Sequence, residues 1–154
     1  MPRLILVVWV AQLFMSGATA MDAQDTSYDE KALRVESRLG DLQIVRGTQS
    51  TVVASAGVFH GPKVAHLVGN SEKALAEARV FEREYEPGQA LVALGIATLG
   101  GAIGASRIAD INSAIPSLLT TASVLMIGYG GYRLENAYRA LSKAIWWYNR
   151  DLKR

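Results

Sequence analysis

Between Pro87 and Ser106, and again between Ile111 and Tyr132, this 154-residue chain carries no charged side chain. Each stretch reaches the roughly 20 apolar residues that a helix needs to cross a bilayer core. Inside lipid the backbone has to satisfy its own hydrogen bonds, so two such helices joined by a short polar turn form a hairpin. The segment "RIADIN" supplies that turn, and Pro116 falls in the first turn of the second span, where a missing N–H is tolerated. A transmembrane hairpin is therefore predicted over 89–132, with spans at 89–106 and 113–132.

Small residues are frequent in these spans. Gly100 and Gly104 stand four apart, as do Ala97 and Gly101. Four-residue spacing lines them up as a stripe along which a second helix backbone can approach closely. Ala97, Gly100, Gly101 and Gly104 are thus expected to pack helices, within one chain or between chains. The competing expectation is an exported, soluble hairpin packed through alanine and glycine.

The first twenty residues, "MPRLILVVWVAQLFMSGATA", have the three parts of an export signal. Arg3 gives the positive start, Leu4 to Phe14 the apolar stretch, and Ala18-Thr19-Ala20 the small-x-small cleavage site. Residues 1–20 are expected to be removed after Ala20. The remaining chain divides by charge. Residues 21–88 hold eight Lys and Arg against eleven Asp and Glu, a net of −3, and residues 133–154 hold six against two, a net of +4.

Within 21–88 the pattern predicts a small β-rich module. Leu33, Val35, Ser37 and Leu39 alternate with Arg34, Glu36 and Arg38, the period of a half-buried strand. Gly40-Asp41 offers a turn before a second strand "LQIVR", and "STVVASAGVF" and "KVAHLV" read as a third and a fourth. So small a sheet buries little on its own and is expected to pack on the next helix. That helix is predicted over 71–86, capped by Ser71 with Glu72 in its first turn, and closed by Pro87-Gly88. Glu82, Glu84 and Glu86 alternate, do not share a helix face, and read as a solvated helix end.

Residues 133–154 regain amphipathicity, with Leu134, Tyr138, Leu141, Ile145, Tyr148 and Leu152 on one stripe. A basic interfacial helix is predicted here. Trp146, Trp147, Tyr148 and Arg150 form its expected membrane-interface residues, since indole and phenol rings favour the headgroup zone and basic groups reach lipid phosphates. Docking of this +4 tail on the −3 module is the alternative, and a nucleic-acid surface a distant third.

The chemical inventory is sparse. With no cysteine there is no disulfide, thiolate metal site or cysteine nucleophile. The two histidines, His60 and His66, flank a Gly-Pro turn and would need remote carboxylates to hold a metal. No G-x-S-x-G, H-E-x-x-H or phosphate-loop pattern occurs. An enzyme is not expected, nor a cofactor, nor a nucleic-acid partner.

The segments "LVGNSEKALAEARVFE", "LGIATLGGAIGA" and "LSKAIWWYNRDL" resemble an uncharacterised group of small exported bacterial envelope proteins. In that group a short β-rich segment precedes a helix, a Gly-rich two-span hairpin and a tail helix ending in an A-hydrophobic-x-x-Tyr-Asn signature. The Gly stripe is also similar to glycine-zipper two-span proteins. The resemblance implies an envelope membrane protein and carries no activity with it. The expectation is thus an α+β membrane protein, a structural or interaction subunit whose partners are the lipid bilayer and a second copy or another envelope protein. A self-associating pore-type protein is the alternative. The inner membrane is expected, with the module on the periplasmic side. The basic tail would favour the cytoplasm, but an even number of spans returns it to the module's side.

Overall fold

The computed structural model describes residues 26–38, 41–57, 60–107 and 114–154. The expected signal at 1–20, Leu39-Gly40 and most of the "RIADIN" turn lie outside the described residues. The architecture is α+β. A short helix α1 (Thr26–Lys31) leads into strands β1 (Leu33–Arg38), β2 (Asp41–Arg46) and β3 (Thr51–Ala56), then two long helices, α2 (Glu72–Ala105) and α3 (Ala114–Asp151). The strands form an antiparallel meander in the order β1-β2-β3. Leu33 pairs with Arg46 and Ile44 with Ala54, with an irregularity between Ile44 and Val45. Gly47 opens the β2–β3 connection at φ 73°, and a Cβ there would lie 2.9 Å from the Glu30 carbonyl oxygen.

Two strand expectations need correction. Among the described residues of the β1 stripe only Leu33 is covered: it is fully buried, whereas Val35 is 41% exposed. The "KVAHLV" segment is no strand but a run of turns. Its backbone donors are used locally and by α2: Leu67 N–H reaches the Val64 carbonyl, and Ala65 N–H donates to Glu82 at 2.9 Å. Val64 and Val68, four apart, both enter the core.

Ser71 caps α2 as its position predicts, its hydroxyl accepting from Ala74 N–H at 3.3 Å. The expected stop at Pro87 does not occur, and the helix runs on to Ala105. Proline inside a helix removes one i to i−4 hydrogen bond and costs about 3 kcal/mol or more. Here the neighbouring Gly88 lies buried against α3, so tertiary packing offsets that loss.

What holds α2 to α3 is a seam of alternating four- and three-residue steps. On α2 it comprises Ala74, Ala78, Phe81, Tyr85, Gly88, Val92, Gly95, Leu99 and Ala102. On α3 it comprises Ser123, Ile127, Gly130, Leu134, Ala137, Leu141, Ala144 and Tyr148. Such a 3.5-residue period keeps one seam facing a partner only if the helices wind around each other, left-handed. The seam changes character along its length. Near the sheet it is filled by Phe81, Tyr85, Leu141 and Tyr148, which join Leu33, Ile44, Val64 and Val68 in one core. Farther out glycine, alanine and serine alternate with Val92, Leu99, Ile127 and Leu134, and backbones come close. A Cβ on Gly130 would meet the Gly88 carbonyl oxygen and Val92 N, both at 2.9 Å, and one on Gly95 would lie 3.1 Å from the Ser123 carbonyl oxygen.

Gly130→Ala is therefore expected to destabilise the fold by about 1–3 kcal/mol through overpacking. Gly100→Ala, where a Cβ meets nothing within 4 Å, should be neutral or gain up to about 1 kcal/mol from reduced chain entropy. Thermal unfolding of the two variants in detergent checks the contrast.

Candidate functional site

The helix pair has a polar and an apolar half. Along the most apolar 18-residue stretch of α2 only 17% is buried, and along that of α3 only 11%. A core helix of a water-soluble protein hides such a stretch. Here Leu94, Ile96, Ile103, Ile115, Leu118, Val124 and Leu125 all stand 51–73% exposed. Both helices are long and apolar enough to cross a membrane. From Pro87 to Ala105 and from Ala114 to Tyr132 each rises about 28 Å, close to the roughly 30 Å of a hydrocarbon core.

Polar groups within these stretches look after themselves. Thr98, Thr120 and Thr121 donate to the carbonyl four residues back, at 2.8, 2.8 and 3.0 Å, and Ser123 donates to Thr120 at 2.8 Å. Hydroxyls bonded to their own helix need no water.

Of the two packings expected for the small-residue stripe, the one within the chain does not occur. Ala97, Gly100, Gly101 and Gly104 are not buried, and a Cβ on any of the three glycines would meet nothing. The close approach is made by Gly88, Gly95 and Gly130 instead. Gly88, Gly95 and Ala102 recur every seven residues, a signal present in the sequence but masked by the denser four-residue stripe beside it.

At the sheet end of the apolar zone, Arg133 donates to Glu84 at 2.7 Å and lies 5.9 Å from the Tyr129 ring centre. Tyr129 and Tyr132 are exposed here. Arg133 holds Glu84 below the ordinary carboxylate value, first by this hydrogen bond and against some desolvation. Glu84 in turn raises Arg133. Glu82 and Glu84 are therefore engaged, Glu82 holding Ala65 N–H, while Glu86 is exposed and accepts from Gly61 N–H at 3.3 Å.

The aromatic cluster of the tail is divided among three settings. Tyr148 is 8% exposed and belongs to the core. Trp147 is half-buried, with Lys73 Nζ 4.6 Å and the Arg150 guanidinium 3.9 Å from its ring centre. Trp146 is 57% exposed. Trp146 lies about 14 residues, or roughly 21 Å, beyond Tyr132 on one unbroken helix. The tail is the last half of α3, and it docks on the module. Asn149 accepts from Leu33 N–H at 2.9 Å and donates to the Leu33 carbonyl at 2.8 Å. Asp151 accepts from the Ser71 hydroxyl at 2.6 Å, and this bond leads in lowering its pKa.

His60 and His66 are both exposed, and no cluster of three metal-ligating side chains occurs among the described residues. Compared with known proteins, the chain matches no family model, no curated sequence and no solved structure.

Asn149→Ala removes both bonds to Leu33 and should destabilise the fold by about 1–3 kcal/mol, with faster amide exchange at Leu33 than elsewhere in β1. The lowered pKa of Glu84 and of Asp151 sets the sign of the acid response. Stability they contribute is complete above their ordinary values of 4.5 and 3.8 and is lost as pH falls through their folded values. An acid titration of unfolding should therefore show a shallower loss in Glu84→Gln with Asp151→Asn than in the parent.

Proposed function

We propose that this chain is an exported bacterial envelope membrane protein whose α2–α3 hairpin spans the bilayer and presents the sheet and the end of α3 together on the periplasmic side. It acts as a non-enzymatic structural or interaction subunit. The observation that carries the reading is the division of one continuous helix pair. Its sheet-proximal half supplies a core, while its distal half exposes isoleucine, leucine and valine around a closely packed interior. Water penalises that much exposed apolar surface, and lipid accepts it. Tyr129, Tyr132 and Arg133 then stand at the membrane–water boundary, the level that tyrosine and basic residues favour. Antiparallel helices place the module and the C-terminal end at the same end of the hairpin, which supports a topology with both on one side. The inner membrane suits an all-helical span.

A second reading, self-association within the membrane, is favoured by one feature. Ala97, Gly100, Gly101 and Gly104 lie on the outer surface, so this small-residue stripe is free to meet another chain.

The protein should stay with the membrane fraction through high-salt and carbonate washing; release would identify a soluble or peripheral protein. Because the chain has no cysteine, single replacements report topology directly. Thr48→Cys and Arg154→Cys should both react with an impermeant maleimide added to the periplasmic side, and Ser106→Cys should not.

A further inference from the structure

At the membrane-distal end of the molecule, where α1 meets the last two turns of α3, Tyr28, Trp146, Asn149, Arg150 and Lys153 line an open cavity of about 310 Å³. That volume is at the small end of the roughly 300–1,000 Å³ typical of small-molecule sites. No acidic side chain lines it, and its two cations are held in place by aromatic rings. Arg150 lies 3.9 and 5.2 Å from the ring centres of Trp147 and Trp146, and Lys153 Nζ lies 4.7 Å from that of Tyr28.

Arg150 is paired with a carboxylate only at long range, its guanidinium 3.6 Å from Asp151 Oδ1, while the other Asp151 oxygen accepts from the Ser71 hydroxyl. Arg150 Nε is buried and makes no hydrogen bond. Lys153 makes no ion pair among the described residues. Buried polar groups in folded proteins nearly always have partners; enclosed by protein, the Arg150 Nε does not reach the cavity, which the rest of that side chain and Lys153 line.

The remaining lining sets the shape of a complementary ligand. Trp146 offers an exposed indole, a flat apolar surface. Asn149 uses one N–H and one oxygen lone pair on Leu33 and retains one of each. The cavity adjoins a second depression through Tyr28 and Asn149, and that one adjoins a third through Gly47 and Thr48. The third is lined by Arg46, whose Nε is also buried without a partner.

We propose that this cavity binds a sugar acid, its carboxylate or phosphate on Arg150 and Lys153 and its ring against Trp146. Guanidinium and ammonium groups bind either oxyanion. A pyranose supplies the apolar face for the indole and the hydroxyl edge for Asn149. The site does not depend on whether the hairpin crosses a bilayer.

The test is calorimetric titration of the full detergent-solubilised chain at low ionic strength with glucuronate, glucose 6-phosphate, glucose and inorganic phosphate. Either acid sugar should bind saturably, and which one binds more tightly identifies the oxyanion. Arg150→Gln and Lys153→Gln should each weaken binding by about tenfold, as loss of one charge-assisted hydrogen bond requires, with Arg139→Gln, on the outer side of α3, as an unaffected control. Trp146→Ala should weaken the acid sugars but not inorganic phosphate. Absence of saturation by about 10 mM, or glucose binding as well as the acids, would overturn the proposal. Inorganic phosphate binding as tightly as glucose 6-phosphate would overturn its ring component.

Discussion

Everything in this molecule depends on two helix backbones touching. At Gly88, Gly95 and Gly130 α2 and α3 come so close that an added Cβ would lie 2.9–3.2 Å from backbone of the other helix, with the Leu134 and Ile127 side chains packed into the space that Gly88 and Gly95 leave. Contact of that kind is short-ranged, and it works by dispersion and by Cα–H to carbonyl contacts rather than by expulsion of water. It can therefore operate in an apolar surrounding, where hydrophobic burial gives no net drive. The close approach also fixes the register farther along the seam, so that Phe81 and Tyr85 meet Leu141 and Tyr148 and the sheet finds a formed surface.

The helices are longer than the zones of composition that they cross. Charge divides the chain into acidic, neutral and basic segments, but α2 joins the first to the second and α3 joins the second to the third. The candidate sites are constrained by this in two ways. The tail is not a separate helix, because α3 runs unbroken from the apolar zone to Asp151. The −3 and +4 segments meet, though mostly through the apolar core, Asn149 and Ser71 rather than through a field of ion pairs.

Much of this was legible in the sequence. Two charge-free runs and a period-two alternation announce two helices and a small sheet, and Ser71 marks where α2 begins. The errors share a physical cause, since each depended on a partner distant in the chain. Pro87 reads as a stop until Gly88 is known to sit on Gly130. Glu84 reads as solvated until Arg133, 49 residues on, is placed beside it. The stripe Ala97, Gly100, Gly101, Gly104 is locally more conspicuous than the seven-residue recurrence of Gly88, Gly95 and Ala102, yet only the latter faces α3. Nothing near Asn149 in sequence points to Leu33. In the tail, periodicity correctly marks Tyr148 as part of an apolar stripe, and it is silent about what that stripe covers.

The bond between Asn149 and Leu33 has a temporal meaning. Leu33 leaves the ribosome early, and Asn149 follows 116 residues later. Until then the outward N–H and C=O of Leu33 lack their protein partner, and this end of β1 is an open strand end of the kind that pairs with stray chains. The side-chain amide that holds it lies beyond both long helices. Occupation of this end of the sheet edge thus reports that the whole hairpin has been made and brought back to the module. The module is completed last, although its strands are synthesised first.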